Sequence, residues 1–137
     1  MYPPMADAVA KTLLVTHVDR YAYARGMYKT AQGPREMNRE WRTMLWLMTS
    51  TSGLWEAAQP HINFKRAEVE WAFVPTHLLS RSERLLFDLA QHLFTGCGPV
   101  DLAELIRVVD DECWAAVLAA LQCARGAVDD PMRAQWA

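Results

Sequence analysis

Between Ser80 and Gly126, apolar residues recur in three successive stripes. The first is Leu85, Leu86, Leu89, Ala90 and Leu93; the second Leu102, Leu105, Ile106 and Val109; the third Trp114, Val117, Leu118 and Leu121. Residues spaced i, i+3, i+4 and i+7 share one face of a helix, so the stripes predict three helices in a row. Each has a local start signal. Ser80 with Glu83 and Asp101 with Glu104 have capping-box spacing, and Val100 can staple onto Leu105. Asp110 is placed to cap the third helix, with Val109 and Trp114 as its staple. Gly96-Cys97-Gly98-Pro99 stops the first helix and Arg125-Gly126 the third, because glycine accepts the left-handed conformation of a C-terminal cap.

Upstream the pattern is less regular. Residues 5–31 are alanine-rich and predict one long helix with Leu14, Val18, Tyr21, Arg25 and Tyr28 on one face; a strand at 12–18 is the competing reading. Gly33-Pro34 separates this segment from the next, where Met37, Trp41, Met44, Leu45 and Met48 form an apolar stripe over 35–49. Thr49-Ser50-Thr51-Ser52-Gly53 is a turn by composition, and a short helical turn is expected at 54–58. Residues 62–74 fit two patterns. As a strand they align Lys65, Ala67, Val69, Trp71 and Phe73; as a helix capped by Asn63 they align Phe64, Ala67, Trp71 and Val74. A lone strand has no evident partner for its backbone groups, so a helix is expected. Pro75 ends either one.

These elements predict an all-α fold: a single-domain bundle of five or six helices over residues 1–137. Its parts are a basic helical half at 5–58, a C-terminal three-helix unit of helix-turn-helix-like outline at 80–126, and a frayed tail at 127–137 that Trp136 could tether. With 52% hydrophobic and 22% charged residues, the chain has the apolar content for a core and not the composition of a disordered one.

Charge changes this picture more than composition does. The net charge of −2 conceals a split: residues 1–66 carry nine Lys/Arg against five Asp/Glu, and residues 67–137 carry five against eleven. Such a split suits head-to-tail self-association or a nucleic-acid-facing N-terminal half, as well as two solvated faces. Three cysteines do not make a disulfide framework. Cys113 and Cys123 lie on one predicted helix, about 15 Å apart, far beyond bridging distance. Reduced thiols, no apolar run of about 18 residues and no signal-peptide pattern at Met1-Tyr2-Pro3-Pro4 together predict a cytoplasmic protein that does not span a membrane.

Motifs that would announce catalysis are missing: no phosphate loop, no Gly-x-Gly-x-x-Gly, no Gly-x-Ser-x-Gly and no His-Glu-x-x-His. His17, His61, His77 and His92 have no i+3 or i+4 partner among themselves or with cysteine, so no metal and no cofactor is expected. Asp110-Asp111-Glu112 reads as the acidic start of a helix, where carboxylates accept orphan N–H groups. That acidic first turn also argues against the last helix entering a DNA groove.

Two stretches remain as candidates. Cys113, Ala116, Ala120 and Ala124 form a row of small residues that lets another backbone approach, either within the bundle or from another protein or a second copy in a homodimer. Arg20, Tyr23, Arg25, Lys29, Arg35, Arg39 and Arg42 interleave cations with tyrosines and Trp41, the ingredients of a nucleic-acid surface. The expected function is a non-enzymatic protein-binding module, a regulator or a small subunit of a larger assembly. The alternative is a nucleic-acid-binding protein working through the basic-aromatic segment.

Overall fold

The computed structural model describes residues 14–134. Among them the fold is mostly α, with six helices. These are α1 (His17–Gln32), α2 (Arg39–Met48), α3 (Ser52–Ala58), α4 (Arg81–Thr95), α5 (Leu102–Val108) and α6 (Asp111–Ala124). A small antiparallel sheet joins β1 (Ile62–Asn63) to β2 (Glu68–Val69).

All six helices start on a residue of the type that local chemistry prefers. Thr16, Asn38, Thr51, Asp101 and Asp110 each accept a backbone N–H three residues ahead. The sixth, α4, has the full reciprocal capping box between Ser80 and Glu83, and ends on Gly96 at φ +77°. α1 begins at His17, later than expected; residues 5–13 lie outside the described residues, and Leu14–Thr16 are not helical. Its buried positions are Arg20, Tyr21, Ala24 and Tyr28, so Val18 falls on the wet side.

The centre of the bundle is α2. Trp41 and every residue from Thr43 to Met48 are buried, the signature of a helix covered on all sides. α4 packs on one side of it and α6 on another. Around Trp41 an aromatic cluster closes, with Tyr28, Phe64 and Phe94 at ring separations of 5.2, 6.1 and 5.5 Å. Trp71 joins this cluster through Phe87 and Phe94.

Residues 62–74 correct the helical expectation. Asn63 does make the bond of a helix cap, accepting the Arg66 N–H at 3.0 Å, but only a turn follows. Ala67 then adopts φ +53° and the chain returns as β2, so Ile62 pairs with Val69 and Asn63 with Glu68. The missing strand partner was in the same segment. Gln32 fastens the turn by donating to the carbonyls of Phe64 and Lys65. Short 3-10 turns at Trp71–Phe73 and Thr76–Leu78 lead into α4.

The tail also departs from expectation as far as residue 134. Asp130 is buried, accepts the Tyr21 hydroxyl at 3.2 Å, and pairs with Arg25 at 3.4 Å. Its other carboxylate oxygen takes the Met132 N–H and caps a 3-10 turn at Pro131–Arg133. Asp-Pro was therefore a docking signal, not a fraying one. Trp136 lies outside the described residues.

Candidate functional site: a basic cleft beside the first two helices

Gly33 builds the site. At φ +70° it donates its N–H to the Lys29 carbonyl and ends α1, a conformation that L side chains resist. The chain turns there and runs through Pro34, Arg35 and Glu36 to the Asn38 cap of α2. An open cleft of about 470 Å³ lies along this return. Arg25 and Lys29 reach it from α1, one helical turn apart. Arg35 and Glu36 line it from the connecting loop, and Arg42 lines it from α2.

The four cations are held differently. The Arg25 guanidinium sits over the Tyr21 ring, 5.7 Å from its centroid, and pairs with Asp130. Arg42 is mostly covered; it donates to the Asp129 carbonyl at 2.6 Å and lies 3.9 Å from Glu36. Its Nε is buried with no hydrogen-bond partner among the described residues. Lys29 and Arg35 are exposed and form no ion pair among the described residues. The inner cations are thus positioned by the tail, and the outer two remain open to solvent.

The other predicted residues fall elsewhere. Arg20 is only 6% exposed, and its guanidinium is spent on the carbonyls of Thr49 and Ser50 at 2.8 and 3.2 Å, with Val15 and Leu14 taking the remainder. Arg39 does not line the cleft; its guanidinium lies against Gly126. The rings offer no stacking platform: Tyr21, Tyr28 and Trp41 are buried, and Tyr23 is half-buried. Among the described residues no tryptophan is exposed.

The small-residue row lies inside the bundle. Cys113, Ala116 and Ala120 are buried and Ala124 is half-buried, with α2 packed against α6. Their size has a local use: the Trp46 indole N–H approaches α6 closely enough to donate to the Ala116 carbonyl at 2.9 Å. Most of this row's area is thus covered within the chain itself, Ala124 excepted. Cys113 in this row and Cys123 near it are buried; burial, and then Asp110, push Cys113 up to about 12, and burial raises Cys123.

Sequence reasoning missed Asp130, which orients Arg25, because it lay in a segment read as loose. Among the described residues no three His, Cys, Asp or Glu side chains gather as a metal-binding cluster, and no helix is long and apolar enough to cross a membrane. No family model matches the chain, and neither a curated protein nor a solved structure matches it significantly.

Proposed function

We propose that this chain is a non-enzymatic protein-binding module whose working surface is the basic cleft, and that its partner presents an anionic segment there. The observation that carries the reading is the convergence of Arg25, Lys29, Arg35 and Arg42 on one opening from three stretches of chain. Clustered cations in a concave site cost the fold self-repulsion, and a bound anion removes that cost. The free thiols suit a reducing compartment, and a cytoplasmic regulator or assembly subunit fits them.

Nucleic acid is the second reading, favoured by the exposed Lys29 and Arg35. Two features weigh against it. The rings that would stack on bases are packed in the core, and a long polyanion would also meet the acidic residues of 67–137.

The test is fluorescence anisotropy with a labelled hexaglutamate peptide, a phosphorylated peptide and a 12-nucleotide single strand, from about 50 to 200 mM salt. Peptide binding is expected to weaken as salt screens the cleft. Reversing Lys29 and Arg35 to Glu is expected to abolish it, while Arg39→Glu leaves it unchanged. Binding of the strand instead, falling on a log–log plot with a slope of about −0.7 per phosphate, would establish the second reading. No binding by any anionic peptide at the low-salt end refutes the module as proposed.

A further inference from the structure

We infer that the anion the cleft takes is a phosphomonoester, carried on a side chain of the partner protein; this rests on the reading of the cleft as a protein-binding site. Charge is the first reason. Arg25, Lys29, Arg35 and Arg42 face the opening, and the carboxylates among them are Glu36, which lines it, and Asp130, which pairs with Arg25. Two positive charges are left over. A carboxylate neutralises one of them, and so does each phosphodiester of a nucleic acid. A phosphomonoester, with about 1.5 to 2 negative charges at pH 7, neutralises both.

Direction is the second reason. The cations line the cleft from α1, from the loop after Gly33 and from α2, so an anion there is approached from three stretches of chain. Three phosphate oxygens can be met from three sides, whereas a carboxylate presents two oxygens in one plane. Preorganisation is the third. Asp130 and the Asp129 carbonyl fix Arg25 and Arg42 before any ligand arrives, which lowers the ordering cost of binding. Lys29 and Arg35, held by no carboxylate, are the two that close on the ligand.

The experiment uses the full chain and a labelled seven-residue Gly/Ser peptide with phosphoserine, Glu or Ser at its centre. Inorganic phosphate and a 12-nucleotide strand serve as further probes. The phosphoserine peptide is expected to bind at least tenfold more tightly than the Glu peptide, with the Ser peptide undetected. Lys29→Glu and Arg35→Glu are each expected to cost tenfold or more. Both side chains are exposed, so unchanged helicity separates lost binding from lost folding. Equal affinity for the Glu and phosphoserine peptides overturns the phosphate inference and leaves the anion-binding module standing. Inorganic phosphate binding as tightly as the phosphopeptide overturns the protein-borne source. A strand that binds more tightly than the phosphopeptide overturns it in favour of nucleic acid. Silence from every probe overturns the inference and the module together.

Discussion

Replacing Arg20 tests how the bundle is held at the end of its central helix. α2 has no glycine at its C-terminus; Thr49 follows directly and the last carbonyls are covered. The carbonyls left without an intrahelical donor must find one elsewhere or stand buried and unpaired. The first turn of α1 supplies it. His17 Nε2 lies 2.7 Å from the Trp46 carbonyl, while Arg20 Nε and Nη2 donate to Thr49 and Ser50. Arg20→Met keeps most of the apolar stem and removes the fork. Each stranded buried acceptor costs about 1–3 kcal/mol, so the two together give a loss of roughly 2–6 kcal/mol. Arg20→Lys retains a charge but replaces the two nitrogens of the rigid fork with one, and is expected to recover about half. Urea denaturation followed by circular dichroism reads the result. With a slope of about 2 kcal/mol per molar, the midpoint of Arg20→Met should fall by about 1–3 M with the slope unchanged. A loss below about 1 kcal/mol would refute the view that this guanidinium closes α2. A Lys variant as stable as the parent would show that charge alone, not the fork, is what matters.

Three further outcomes are expected. Burial, with the neighbouring Arg20 charge adding to it, pushes His17 down to about 4 despite the Trp46 carbonyl, whereas an unfolded histidine titrates near 6.5. The unfolded chain therefore binds more protons between these values. Stability should fall by up to about 3 kcal/mol as pH drops from about 6.5 to 4, and His17→Gln should flatten that dependence in pH-resolved denaturation. At Gly53 a methyl group would sit 2.5 Å from Glu83 Oε2, which accepts the Thr51 hydroxyl. Burial raises the Glu83 carboxyl, but hydrogen bonds from Thr51 and Ser80 outweigh it and hold the group below its ordinary value. Gly53→Ala should thus lower the melting temperature by the equivalent of about 1–3 kcal/mol, although alanine is the better helix former; a rise would mean that Glu83 swings aside freely. Ala120 is fully buried, so Ala120→Arg should abolish the folded helical signal in circular dichroism. A folded variant with altered mass in light scattering would put that face at an interface instead.

Helix starts and stops were legible because they are local: a capping side chain and the N–H it receives lie three residues apart, as Ser80 and Glu83 do. The all-α character follows from the same short-range periodicity. Residues 62–74 were not legible, because their apolar positions satisfy both periods. The choice fell to the turn at Asn63–Arg66 and to Gln32, thirty-odd residues away, which donates to it. Which helix is central was equally hidden. The stripe on α2 resembles those on α4 and α6, and only the packing of those two helices against it covers its remaining faces.

Half of the cleft could be read from spacing, since Arg25 and Lys29 are one helical turn apart. The same rule pairs Arg39 with Arg42, and there tertiary structure intervened: the end of α6 draws Arg39 to Gly126, while the docked tail holds Arg42 at Asp129. Arg20 shows the limit most plainly. Its charge was visible in the sequence, but whether that charge faced solvent or a buried helix end depended on how α1 crosses α2, and no local pattern encodes that crossing.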